Sequence, residues 1–403
     1  MIVGTPTLRI LFVGNRILPY RHAGDKTYWL EAFRELTRRG HEIDVISLTD
    51  EPIPERSPYP CEFVPPVRFD VDRSERFNQE YRWLRASGNY VAKTMSYGRV
   101  LSAIRRHVRV RRPHVVHFLT NYGPVMAVTR SFTMGVPISI SAPTYNGWRF
   151  VYDWALRASF AGFDRVVPFS GAFARRLVAL GMRPRRIRTI PWAVDPGEFH
   201  PATEGERAEA RRSLGVAEGQ KVIFWSGFLQ QMLPRDLLFA IRTAERMLRD
   251  GPNEWRFFFC MKPEHYRRSF AQYERPGIEI GGTVEGFRHA RTAADAMLSP
   301  IGDLRSTAAP PLTWIECMSS GIPVLTTPLP GAEELVQDGV GGILAATPEL
   351  LAERASALLR DPARLAGVRR EARAQVERGF SLSSSVDAYT HLWAEMASWS
   401  SGK

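Results

Sequence analysis

The stretch Ala296–Leu344, AMLSPIGDLRSTAAPPLTWIECMSSGIPVLTTPLPGAEELVQDGVGGIL, decides the fold. Its apolar run Ala296–Ser299 predicts a strand, followed by a loop punctuated by Pro300, Pro310 and Pro311. A proline suits the start of a helix, and the one that opens there carries a single acid, Glu316. Ile322–Thr326 returns as a strand, a turn at Gly331 leads to a short helix, and Gly342–Leu344 closes the unit. Strand and helix in alternation predict a parallel, doubly wound sheet. Ligands of such sheets sit outside the carboxyl ends of the strands, so the loop Ile301–Pro311 and the helix behind it should face one. Pro310 and Pro311 have no N–H to offer. The N–H groups of Leu312 and Thr313, the helix dipole and the Thr313 hydroxyl remain to hold an anion.

Working outward, the same alternation recurs. Arg9–Gly14 reads as a strand and Asp25–Arg39 as a helix with Trp29, Leu30, Phe33 and Leu36 on one face; Gly40 ends it, and Glu42–Leu48 is the next strand. Further strands are predicted at His114–Leu119, Pro137–Ser141, Arg165–Phe169 and Ile187–Ile190. After a crossing at IPWAVDPGEFHP (Ile190–Pro201) and a helix at Glu204–Leu214, more follow at Lys221–Ser226, Arg256–Cys260 and Gly277–Gly281. Pro65–Tyr97 fits the alternation poorly and is rich in aromatics: Phe69, Phe77, Tyr81, Trp83, Tyr90 and Tyr97.

A length of 403 residues suits two domains rather than one core. The 44% hydrophobic and 24% charged content excludes a disordered chain. Cys61, Cys260 and Cys317 show no paired spacing, which fits buried thiols in a reducing compartment. No leader segment is read and no apolar run reaches the ~20 residues of a membrane helix, so the protein is expected to be cytoplasmic or at most peripheral. Of the 54 Lys and Arg, 30 lie in residues 1–200, with 17 of the 42 Asp and Glu. The net charge of +12 therefore belongs to the first half, in runs such as IRRHVRVRR (Ile104–Arg112) and RPRRIR (Arg183–Arg188). These runs could attract a phosphate-bearing acceptor or give peripheral membrane contact. They lack interleaved aromatics, which argues against nucleic acid.

Pro300, Glu316, Met318, Gly321, Pro323, Val324, Gly331, Glu334, Asp338 and Gly339 together form a pattern that resembles glycosyltransferase family 4. The resemblance implies the GT-B fold, an α/β architecture of two doubly wound Rossmann-like domains facing a central cleft. The N-terminal domain would span 1–195 and the nucleotide-sugar-binding domain 196–380, with residues 381–403 forming a helix that crosses back. It implies retaining transfer of a sugar from a nucleotide sugar to a small-molecule or glycan acceptor, without metal or other cofactor. Glu316 would hold the ribose. Gly24 and Asp25 would lie beneath the diphosphate and the acceptor, and Val284 and Glu285, in GGTVEG, would read the base through the backbone. Gly227 ends the first strand of the second domain, and the aromatic segment Pro65–Tyr97 would either wall the acceptor site or simply pack. Asp70-Val71-Asp72 is set aside as a solvated loop rather than a metal motif, and Gly24–Thr27 lacks the upstream glycine of a phosphate loop.

The chain departs from the family at four positions. Ala308 replaces the first glutamate, Phe228 and Leu233 replace two phosphate-binding cations, and Pro143 replaces a histidine near the sugar. Arg235, Lys262 and Arg305 stand near ligand-facing loops and could restore the charge. The catalytic candidates are then Asp25, Arg305 and Asn146, the last just beyond Pro143. His117, at a strand end, is read as structural. The departures keep open a catalytically inactive scaffold that binds or activates a partner transferase, and a donor whose phosphates are held differently.

Overall fold

A computed structural model describes residues 6–17, 24–49, 58–67, 82–142, 153–228, 234–262, 270–281, 284–302 and 310–399. The strands are β1 (Arg9–Asn15), β2 (Glu42–Leu48), β3 (Cys61–Val64), β4 (Val115–Phe118), β5 (Ile138–Ala142) and β6 (Arg165–Pro168), then β7 (Lys221–Phe228), β8 (Trp255–Lys262), β9 (Ile278–Gly281), β10 (Ala296–Leu298), β11 (Val324–Thr326) and β12 (Gly342–Leu344). They form two six-stranded sheets, ordered β3-β2-β1-β4-β5-β6 and β12-β11-β10-β7-β8-β9. Among the described residues, every pairing between these strands is parallel. Counted within its own half, each sheet has the same order, 3-2-1-4-5-6, that of a doubly wound dinucleotide-binding domain. The order reverses between β1 and β4 in the first sheet and between β7 and β10 in the second, and a ligand crevice is expected at each reversal.

The helices are α1 (Gly24–Arg38), α2 (Arg82–Arg111), α3 (Asp153–Ala161), α4 (Gly171–Ala179), α5 (Glu204–Ser213), α6 (Pro234–Asp250), α7 (Val284–Ala293), α8 (Leu312–Ser319), α9 (Pro348–Arg360), α10 (Pro362–Gly379) and α11 (Leu382–Ser398). Local chemistry fixes several of their starts. Thr203 and Glu206 form a reciprocal capping box on α5, while Thr347, Asp361 and Ser381 cap α9, α10 and α11 through their side-chain oxygens. No helix among the described residues is long and apolar enough to cross a membrane.

Buried side chains from both halves merge into one cluster running from Phe12 and Phe33 through Trp192 to Trp314 and Met318. Trp192, in the crossing segment, stacks on Phe169 with ring centres 3.8 Å apart and meets Tyr28 edge-on at 5.1 Å. The last helix, α11, packs back onto the first sheet. The Tyr28 and Ser385 hydroxyls lie 2.7 Å apart, those of Ser141 and Tyr389 2.9 Å, and Arg165 reaches Glu395 at 2.6 Å.

One predicted strand fails, and one strand appears that was not predicted. Ile187–Ile190 is not a strand. The N–H groups of Arg188 and Ile190 do donate to the Val166 and Pro168 carbonyls, but Pro168 has no N–H to return a bond, so the ladder reduces to one bridge, Val166 to Ile187. The edge strand β3 was not predicted; its four residues are too few for a readable alternation. Of the aromatic segment, Phe69, Phe77 and Tyr81 lie outside the described residues. Tyr97 serves packing: it is buried beside Tyr122 and its hydroxyl meets that of Thr129.

Candidate functional site

The second sheet's crevice is built from the loop after β10. Thr326 Oγ1 donates to the Ser299 carbonyl at 2.8 Å, and Trp314 Nε1 donates to Ser299 Oγ at 2.7 Å. The Ile301 N–H donates to Thr327 Oγ1 at 3.0 Å, and the Gly302 N–H to Asp236 Oδ1 at 2.9 Å. These bonds tie the loop to β11, α6 and α8. A Cβ at Gly302 would stand 2.8 Å from Asp236 Oδ1 and 3.0 Å from Arg235 Nε, so a larger residue here would have to push these two side chains aside. The guanidinium of Arg235 thus lies against the loop, half exposed and 3.7 Å from Asp236. Helix α8 opens with Pro311 at the N-cap and no side-chain cap. Leu312, Thr313 and Glu316 are partly exposed there, whereas Trp314, Ile315, Cys317 and Met318 are buried and anchor the helix.

In the first sheet's crevice, the Asn15 N–H donates to Thr120 Oγ1 at 3.0 Å. The buried Oδ1 of Asn15 has no hydrogen-bond partner among the described residues. Beneath it His117 is fully buried among Phe12, Trp29, Tyr389 and Trp393, between the hydroxyls of Ser139 at 2.8 Å and Ser141 at 2.9 Å. Burial pushes its pKa down to about 3, so it is neutral at physiological pH and serves as a core hydrogen-bonding residue.

The two crevices face each other. Glu334, which follows β11 in the second half, accepts the N–H groups of Gly171 at 2.7 Å and Ala172 at 2.8 Å. Those residues open α4, directly after the carboxyl end of β6, and Ser170 Oγ accepts the next one, from Phe173, at 3.2 Å. A carboxylate from one half therefore caps a helix of the other. Gly331 permits the approach: its φ is +95°, and a Cβ there would lie 3.2 Å from that of Ala172. Helices α1 and α8 also touch, which brings the helix of Gly24 and Asp25 against that of Glu316.

Residues 24–193 match the family model "Glycosyl transferase 4-like domain", and residues 220–361 match "Glycosyl transferases group 1". Both halves of the chain are thus glycosyl transferase domains. It is 30% identical over 256 residues, 58% of its length, to a D-inositol 3-phosphate glycosyltransferase of Geodermatophilus obscurus, of which the match covers 54%. The chain thus spans about half the length of the curated relatives it matches. Two solved structures share its fold at low identity. A glycosyltransferase from Rickettsia africae superposes with a TM-score of 0.71 at 14% identity, covering 97% of this chain and 98% of its own. HepE of Anabaena, in complex with UDP-glucose, gives 0.69 at 16%, covering 97% and 99%.

Leu312, Thr313 and Glu316 lie on the helix that follows β10, and Gly227 and Arg235 lie at the end of β7 and the start of the helix after it, the two strands that flank the reversal. Gly24 and Asp25 form the first turn of α1, and Lys262 ends β8. Val284 and Glu285 open helix α7 rather than lying in a turn, because the chain coils immediately after Thr283; backbone N–H groups of a first helical turn still point outward. Asn146 and Arg305 lie outside the described residues, as do Ala308, Leu233, Pro143 and the Asp70–Asp72 run. Three contributors escaped the sequence reading. Asp236 carried a faint signal, an acid in the first turn of a helix beginning with proline. Glu334 matched the family pattern without an assigned role, and Asn15 showed only as the polar end of a strand.

Proposed function

We propose that this protein transfers a glycosyl group from a nucleotide sugar to an acceptor, with retention of configuration and without a metal ion. The observation that carries the reading is the Glu334 cap, which holds the carboxyl edges of two doubly wound sheets together around one cleft. In that cleft Glu316 would bind the ribose hydroxyls. The N–H groups at the start of α8, with Arg235, would take the diphosphate and stabilise the charge that develops as it leaves. Arg235 would stand in for the cations lost at Phe228 and Leu233. Closure around the reacting atoms would exclude water and limit hydrolysis of the donor. The curated relatives named for inositol 3-phosphate and the UDP-glucose in the HepE structure support a nucleotide sugar and an acceptor that is a polar, phosphate-bearing alcohol. The second reading, an inactive partner-binding scaffold, is favoured by the four departures together, Phe228, Leu233, Ala308 and Pro143.

Calorimetric titration with UDP, GDP, ADP and TDP, repeated on Glu316→Ala, tests the donor site. Micromolar binding of one nucleotide, lost in the variant, is the expected result. That nucleotide's sugars, offered with chelator present, should then be turned over. Absence of binding by all four defeats the proposal.

A further inference from the structure

The basic runs singled out in the sequence have different fates in the fold. In Ile104–Arg112, Arg106 pairs with Glu62, while His107 at 3.2 Å and Arg111 at 3.1 Å share the buried Asp44. Two of the run's five arginines are thus paired. The run Arg183–Arg188 instead borders a pocket of about 440 Å³, a size suited to a small ligand. Arg130, Arg165, Arg185 and Arg186 line it with a single carboxylate, Asp164, and with the indole of Trp399.

The carboxylates nearby are already committed. Asp164 pairs with Arg130 and accepts the Ile138 N–H at 2.9 Å, and Glu395 takes Arg165 at 2.6 Å. Arg186 donates to the carbonyls of Phe160 at 3.0 Å, Ala161 at 2.9 Å and Phe163, which fixes its guanidinium in the wall. Its pKa is lowered, first by burial, with Arg183, Arg130 and Arg165 adding repulsion against the pull of Asp164. Arg185 is exposed and makes no hydrogen bond or ion pair among the described residues. Trp399 is 38% exposed, with the Arg165 guanidinium 4.3 Å from its ring centre. The pocket lies at the amino end of β6, where Arg165 begins the strand, whereas the Glu334 contact and the cleft lie past its carboxyl end. Roughly 10 Å of strand separates them at the least.

We propose that this pocket is a second, separate binding site for a phosphate-bearing anion. Several guanidinium groups crowd here with too few carboxylates to balance them. Their planar forks match phosphate oxygens in pairs, and a bound anion would relieve their mutual repulsion. The partly exposed indole offers an apolar wall for whatever carries the phosphate. That phosphate could be free or could be the headgroup of a lipid surface, and the test separates the two.

The full-length protein carrying Arg235→Ala, which removes the cation proposed to hold the donor's diphosphate, is titrated with inorganic phosphate and pyrophosphate. In parallel it is mixed with phosphatidylcholine vesicles with and without phosphatidylglycerol and sedimented. Both assays are repeated with Arg185→Glu and with Arg109→Glu. Arg109 is exposed on α2 and is not among the residues that line the pocket, so the second change alters net charge equally without touching the pocket's wall. Saturable one-to-one binding of pyrophosphate, weakened at least tenfold by Arg185→Glu and less than twofold by Arg109→Glu, is the expected result for a free anion. Binding only to the phosphatidylglycerol vesicles, with the same dependence on Arg185, identifies the lipid source. No binding in either assay, or equal losses in the two charge variants, overturns the proposal.

Discussion

Replacing Glu334 by glutamine changes one atom's identity and removes one charge, yet it should loosen the contact between the two halves. The carboxylate accepts two backbone N–H groups at 2.7 and 2.8 Å, and its side chain is 28% exposed. Glutamine keeps one acceptor and turns its amide NH2 toward the other N–H, so one bond is lost and the survivor loses its charge assistance. A hydrogen bond to a charged group contributes about 1.5–3 kcal/mol, and an anion at a helix N-terminus a further ~0.3–1 kcal/mol. Water reaches this partly exposed site and compensates some of the loss. A net cost of about 2 kcal/mol follows, or roughly 30-fold in the ratio of joined to parted halves. Amide hydrogen exchange reads this directly. The Gly171 and Ala172 amides should lose about 30-fold in protection. The Ala174 amide, which donates to the Ser170 carbonyl within its own helix, should change much less. Small-angle scattering should show a larger radius of gyration for the variant. Unchanged protection at Gly171 and Ala172 would refute the idea that this carboxylate holds the two halves together.

Three further outcomes are expected. His117 is pushed down to about 3 by burial, so between the usual histidine value and that point the unfolded chain binds the extra proton; its stabilising contribution is complete above about pH 6.5 and is lost as pH falls. Urea midpoints measured from pH 7 to 5 should therefore fall less steeply in His117→Gln than in the parent. His41, lowered mainly by its own burial, remains in both proteins, and identical slopes would contradict the assignment. Asp295→Ala should destabilise the second domain by about 3–5 kcal/mol in urea unfolding. It strips the carboxylate from Arg207 at 2.7 Å, Arg369 at 3.0 Å and Arg211 at 3.4 Å, and leaves the Val222 N–H without its acceptor. Arg235→Ala should weaken nucleoside diphosphate binding about tenfold or more while leaving the free nucleoside nearly unaffected, which competition calorimetry can measure.

Much of the fold was legible because doubly wound sheets leave a periodic trace. Buried parallel strands read as continuous apolar runs such as Val115–Phe118, and amphipathic helices such as α1 show one apolar face. Motif spacing placed Glu316, Leu312 and Thr313 at a strand's carboxyl end because that distance is set within a single β-loop-α unit. Elements that depend on partners were not legible. The four residues of β3 acquire their meaning only from β2, and Ile187–Ile190 fails as a strand because of Pro168, about twenty residues earlier in the chain.

The sequence by itself determined two parallel sheets, the order of their elements and the helix that presents Glu316, since each follows from local periodicity and short-range turn chemistry. Only the tertiary structure decided that the carboxyl edges meet, that Glu334 caps a helix more than 150 residues earlier, and that Asp236 holds Gly302 in place. It also decided which arginines are neutralised and which gather unbalanced around the pocket beside Trp399. Charge and hydrogen-bonding capacity are written in the chain, but their partners are distant along it. Whether they are satisfied depends on distances of a few ångströms that exist only after folding.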